Sequence, residues 1–231
     1  NAVDSQLNEP ELGIKIGYIR LKQFSAKSVR EMKNTISSLE KKDALGYVLD
    51  LRSNPGGLLE ASVEIARLWL DKGIIVSTET RDGIKAVRRA NGSALTSKPV
   101  VLLVNGGSAS ASEILSGAIQ DNKRGLLVGE KTFGKGLVQS VKTLSDGSGI
   151  TVTIARYLTP KGRDINKYGI EPDIKSILTE KDALGLTKED LATINDTQYM
   201  DAEKSLLQSI QKANLNTTYR PDTSNLYYAL R

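Results

Sequence analysis

Pro99-Val100-Val101-Leu102-Leu103-Val104-Asn105-Gly106-Gly107-Ser108-Ala109-Ser110-Ala111-Ser112-Glu113 is an apolar run that breaks abruptly into a turn of glycines and serines. Residues 99–104 are short and uniformly apolar, as expected of a strand buried on both faces. Residues 112–120 follow with Ile114, Leu115, Ala118 and Ile119 at helical spacing. Strand, tight turn and helix in that order predict an α/β architecture. The turn places a side chain at a strand end, close to the amides that open a helix.

Upstream, residues 45–51 form a second short apolar run, ending in Arg52-Ser53-Asn54-Pro55-Gly56-Gly57. A helix over 58–70 is predicted from Leu58, Ala61, Ile65, Leu68 and Trp69, with Asp71-Lys72-Gly73 as a glycine stop. Before it, residues 14–20 alternate like a strand. Ser25 then reads as the N-cap of a helix carrying Val29, Met32, Ile36 and Leu39 and ending near Lys41-Lys42. Residues 74–80 and 84–88 flank Asp82-Gly83, and residues 137–144 and 150–157 flank Asp146-Gly147, both β-hairpin signals. Strand-helix-strand units thus give way to antiparallel strands, predicting an α/β (α+β) layered core of sheet and helices. Residues 1–13, with Pro10 and Gly13, read as a linker. From residue 176 the chain changes character, with an amphipathic stretch over 201–214 carrying Leu206, Leu207 and Ile210, then a polar tail with scattered tyrosines.

The 231 residues contain no histidine and no cysteine. Imidazole-assisted and thiolate nucleophiles are therefore excluded, as are disulfides and thiolate metal sites, and no cofactor or metal is expected. A hydrolase built from this composition has a lysine as its base, made neutral by burial. The net charge of +5 is spread among acidic residues without a basic stripe or interleaved aromatics, which speaks against nucleic-acid binding. No apolar run approaches the roughly 18 residues that span a bilayer.

Gly129-Glu130-Lys131-Thr132-Phe133-Gly134-Lys135-Gly136 matches the first seven positions of a phosphate-binding loop. Gly136 stands where the magnesium-binding Ser or Thr belongs, and the residues that follow read as a strand, so a nucleotide-binding reading is the weaker alternative. Taken alone, Ser108, Ser110 and Ser112 also suit helix capping, and Gly56-Gly57 suits a turn needing positive φ. The serine turn, the Gly-Lys-Gly loop and the Pro-Gly-Gly turn each follow a short apolar strand, so adjacent strands would bring them to one sheet edge.

Four motifs in order resemble the carboxyl-terminal processing peptidases, or tail-specific proteases: Asp50 to Gly57; Ser108 to Glu113; Gly129 to Gly136; and Tyr157-Leu158-Thr159-Pro160-Lys161-Gly162 with Gly169-Ile170-Glu171-Pro172-Asp173. Residues 17–24 and 68–73 resemble the cyanobacterial and plastid branch, which trims the photosystem II D1 protein. The resemblance implies a crotonase/ClpP-like core over residues 14–175, with 176–231 as a partly helical C-terminal extension. It implies a serine endopeptidase in which Ser110 is the nucleophile, Lys135 the base and Gln139 its orienting partner. Gly56 and Ala111 amides would bind the oxyanion, and Asp121 matches a supporting acidic position. It further implies protein or peptide substrates with exposed C-termini, some membrane-associated, and an upstream PDZ domain to capture them. Export to the thylakoid lumen or periplasm is also expected. The C-terminal helix either packs on the core or forms a homo-oligomer contact, and the sequence leaves both open. A binding module that keeps the fold without proteolysis, or a gated form of it, is the alternative.

Overall fold

In the computed structural model, residues 1–10, 13–179 and 186–216 are described. A six-stranded sheet forms the centre, in the order β1 (Val3–Asn8), β2 (Ile16–Leu21), β3 (Gly46–Asp50), β6 (Val100–Val104), β7 (Leu126–Gly129) and β10 (Ile174–Lys175). All neighbours are parallel except β1, which pairs antiparallel with β2 at the edge. A second sheet has the order β5 (Gly83–Arg89), β4 (Ile74–Thr80), β9 (Gly149–Leu158) and β8 (Leu137–Thr143), and all its pairs are antiparallel.

The apolar runs are continuous because both faces of the first sheet are covered. Tyr47, Leu49 and Leu51 join one core with Leu102 and Val104, while Val48 joins a second with Val101 and Leu103. The first core is closed by α1 (Ala26–Glu40), α2 (Leu59–Arg67) and α3 (Ala111–Asp121). The second is closed by α4 (Thr197–Asn216), through Tyr199, Ala202, Leu206 and Ile210. Ser25 caps α1 as expected: its Oγ accepts from Ser28 N, and its own N donates to Ser28 Oγ.

Two expectations need correction. Residues 3–8 are a strand and not a linker; their side chains are mostly polar because this edge strand is held by its backbone ladder, with Val3 as the buried contact. The second helix ends at Arg67, and residues 68–70 turn away by hydrogen bonds to Ile65 and Ala66 carbonyls before Gly73 is reached. Of the two readings left open for the C-terminal helix, packing on the core is observed: α4 places Tyr199, Ala202, Leu206 and Ile210 in the second core. The tyrosines of the tail beyond residue 216 lie outside the described residues.

Candidate active site

β3, β6 and β7 are adjacent and parallel, so the turns that leave them emerge at one edge of the sheet. Main-chain bonds stitch the turns together: Ala109 N donates to Asn54 O (3.0 Å), and Phe133 N donates to Ser108 O (3.0 Å). Gly56 sits so close to the serine turn that a Cβ there would lie 2.7 Å from Ala109 O and 2.9 Å from Ala111 N.

The three serines separate by their partners. Ser108 Oγ donates to Leu51 O (2.8 Å) and Ser112 Oγ to Asn54 O (2.9 Å), and both residues are buried. These two hydroxyls tie the serine turn to the Pro-Gly-Gly turn. Ser110 is half-buried and holds φ 55° and ψ −110°, a left-handed conformation that a non-glycine residue keeps only when its surroundings enforce it.

Glu113 supplies that enforcement. Its side chain is buried and accepts four hydrogen bonds. Oε2 takes Ser110 N (2.8 Å) and Lys135 N (2.8 Å), while Oε1 takes Thr132 Oγ1 (2.6 Å) and Gly134 N (2.7 Å). A carboxylate with two oxygens facing four donors is satisfied without a cation. One residue thus locks the serine turn to the lysine loop. Sequence reasoning placed Glu113 in the motif and gave it no role; its Ser-x-x-Glu spacing from Ser110 was the available signal.

Lys135 is carried between Gly134 and Gly136, and a Cβ at Gly136 would lie 2.3 Å from Asn166 N. The loop is pressed onto residues 165–169, with Lys167 N bonded to Gly134 O (2.8 Å) and Tyr157 N to Gly136 O (2.7 Å). The fourth motif is therefore support for the loop: Ile170 N donates to Thr132 Oγ1 (2.7 Å), and Asp173 Oδ2 accepts Leu127 N (2.8 Å). The Lys135 side chain is exposed, in contrast to the burial expected of a neutral lysine. Among the described residues, Lys135 Nζ is not hydrogen-bonded to Ser110 Oγ, and the exposed Gln139 of β8 makes no bond to Lys135.

Ala111 N, the first amide of α3, has no acceptor among the described residues, whereas Gly56 N donates to Asn54 Oδ1 (2.9 Å). Asp121 is not brought to this edge. It lies at the far end of α3, about 16 Å along the helix from Ser110 at 1.5 Å per residue. There it accepts Lys161 N (2.9 Å) and pairs with Arg163 Nη2. The strand β8 that follows Gly136 leaves no helix N-terminus for a phosphate, which removes the structural context of a nucleotide loop.

The fold is a mixed α/β core, with a largely parallel sheet covered by helices on both faces beside an antiparallel sheet. Residues 15–176 match the Peptidase family S41 model, and the chain belongs to that family. It is 57% identical over 171 residues to the carboxyl-terminal-processing protease of Synechocystis sp., covering 74% of this chain and 40% of that protein. It is 48% identical over 161 residues to the chloroplastic C-terminal processing peptidase of Tetradesmus obliquus, covering 69% of this chain and 35% of that one. Among solved structures, the photosystem II D1 C-terminal processing protease superposes with a TM-score of 0.76 at 40% identity, over 87% of this chain and 53% of that chain. The chain thus spans between about a third and two fifths of the length of these two curated relatives.

Proposed function

We propose that this chain carries the catalytic part of a serine endopeptidase that cleaves near the C-termini of protein substrates. The observation that carries this reading is Glu113 Oε2, which holds Ser110 and Lys135 to one point through their main chains. Ser110 Oγ attacks the scissile carbonyl while neutral Lys135 accepts its proton. The Ala111 N–H is ready for the oxyanion, and the Gly56 N–H joins it on leaving Asn54 Oδ1. Collapse breaks the peptide bond, and Lys135 returns the proton to the leaving amine. Water, deprotonated by Lys135, then hydrolyses the acyl-serine. Gln139, unbonded to Lys135 in this structure, is proposed to orient it once substrate covers the loop, and Asp121 supports the site indirectly by holding the 157–163 segment.

The exposure of Lys135 favours a gated form of this reading. A substrate polypeptide laid over the loop excludes water from the ammonium, favouring the neutral amine the base needs. The names of the relatives, one of them chloroplastic, support C-terminal processing by the whole protein, and we place that activity in the thylakoid lumen or periplasm. The test is cleavage of a peptide with a free C-terminus. Ser110→Ala and Lys135→Ala should each abolish turnover while leaving thermal unfolding cooperative, and near-normal turnover by either variant rejects the mechanism.

A further inference from the structure

Arg52 follows β3 at the start of the turn that carries Gly56, and it is buried to 6% exposure. Its guanidinium faces two carboxylates. Nε and Nη2 bond Asp50, while Nη1 and Nη2 bond Asp196 Oδ1 and Oδ2 at 2.8 and 2.7 Å, a two-pronged pair. Asp196 is fully buried, precedes α4 and lies beyond the family match, which ends at residue 176. Its remaining capacity is filled by Tyr199 N (3.1 Å) and Ala192 N (3.3 Å). Gln198 completes the cluster, accepting from Arg52 Nη1 and donating to Ser176 O (2.7 Å). Tyr18 OH donates to Asp50 Oδ2 (2.7 Å), and burial first, then the Asp50 charge, push that phenol well above its ordinary value, so it remains a donor. Burial alone would pull the Arg52 guanidinium down; Asp50 and Asp196 outweigh it and hold it well above its ordinary value.

We propose that Asp196 is a positioning residue for the active site, acting through Arg52 on the turn of residues 51–57. Arg52 N is bonded to Asp50 Oδ1 (2.9 Å), and its neighbour Leu51 offers its carbonyl to both Asn54 N and Ser108 Oγ. Asn54 in turn holds Gly56 N, Ala109 N and Ser112 Oγ. A shift of the Arg52 side chain is therefore passed to both the Gly56 amide and the serine turn within two bonded residues. With Asp196 neutralised, Arg52 keeps Asp50 as a partner, so the fold survives while the turn loses its far anchor. A misplacement of about 1 Å at a catalytic centre costs up to about a hundredfold in rate. The C-terminal segment thereby does two separable things: α4 closes the second core, and Asp196 sets the turn.

This inference rests on the peptidase reading, and the experiment separates the two. Wild type, Ser110→Ala, Asp196→Asn, Asp196→Glu and Leu206→Ala are compared in the full chain. The readouts are kcat and KM on a peptide with a free C-terminus, Tm, and amide hydrogen exchange of residues 51–57 and 105–113. Asp196→Asn keeps one oxygen as acceptor for Tyr199 N of α4 but turns an NH2 toward Arg52 Nη2 and Ala192 N. It should lower kcat at least about tenfold with KM changed less than about twofold, and speed exchange in residues 51–57. Asp196→Glu should recover most of kcat. Leu206→Ala, which loosens α4 without touching Arg52, should lower Tm and leave kcat unchanged. Wild-type kcat in Asp196→Asn, or an equal fall in Leu206→Ala, overturns the proposal. Should Asp196→Asn not fold, Asp196→Ser, which keeps a cap without charge, replaces it under the same criteria. Should wild type not cleave, the peptidase reading fails, and unchanged exchange at residues 51–57 still overturns the positioning role.

Discussion

Ser110 N and Lys135 N donate to the same oxygen, Glu113 Oε2, each at 2.8 Å, although the two residues lie on different turns. Glu113→Gln should be more damaging than its isosteric shape suggests. An amide presents NH2 to two of the four donors, leaving them unpaired in a buried site at about 1–3 kcal/mol each. We expect a lower urea midpoint together with loss of peptide cleavage. Unchanged stability in Glu113→Gln would mean that the four bonds do not hold the turn.

The backbone of Ser110 supplies a second prediction. A non-glycine residue at φ 55° and ψ −110° stores strain of about 1–3 kcal/mol, which glycine relieves and alanine does not. Both substitutions remove the nucleophile. Ser110→Gly should nevertheless be about 1 kcal/mol more stable than Ser110→Ala, allowing for the extra freedom glycine gains when unfolded. Denaturant melts of the two inactive variants read this directly, and equal midpoints would show that the turn is unstrained.

If Lys135 is the base, turnover needs its neutral form, so kcat/KM should climb from neutral toward mildly alkaline pH. Tyr18, held protonated by burial and by Asp50, does not add its own titration to that climb. A flat profile from neutral to mildly alkaline pH would remove Lys135 from the role.

Removing core volume from α4 tests its structural share. Leu206 is fully buried in the second core, and Leu206→Ala should cost about 2–5 kcal/mol by lost burial and cavity formation. A loss below about 1 kcal/mol would indicate that the sheet face is closed without α4.

An acid-side effect is expected at Glu40, which accepts from Lys98 Nζ (2.6 Å) and Tyr47 OH (2.5 Å). Burial by itself would raise its carboxyl, but the bonds from Lys98, Thr96 and Tyr47 win and hold it below its ordinary value. A folded value below the unfolded one gives stability that is present above about pH 4.3 and is lost as pH falls through the folded value. Glu40→Gln should thus be less stable than wild type at neutral pH, with the gap closing in acid. A gap of constant size from pH 7 to about pH 3 would contradict the assignment.

Most of the element order was legible in the chain. The buried strands and the Asp82-Gly83 and Asp146-Gly147 hairpins are local patterns, and the structure forms them where those patterns lie. The strand over residues 3–8 was hidden because an edge strand bonds through its backbone and carries polar side chains. The site was half legible. Spacing showed a serine turn and a lysine loop, yet three serines at alternate positions look alike until two of them find carbonyls on another turn. Burial of Lys135 was expected from the chemistry of a lysine base, and the loop instead leaves that side chain in solvent.

Composition and local pattern by themselves determined that no imidazole or thiol chemistry is available, that buried strands end in small-residue turns, and that a lysine stands between glycines. Those properties depend on residue type and on neighbours a few positions away. Tertiary structure decided which two serines are tied to another turn, that Glu113 joins loops 22 residues apart, and that Arg52 meets Asp196 across 144 residues. Such bonds depend on which strands lie side by side. That order, β3 beside β6 beside β7, follows from covering both apolar faces of one sheet at once and leaves no mark on any single stretch of the chain.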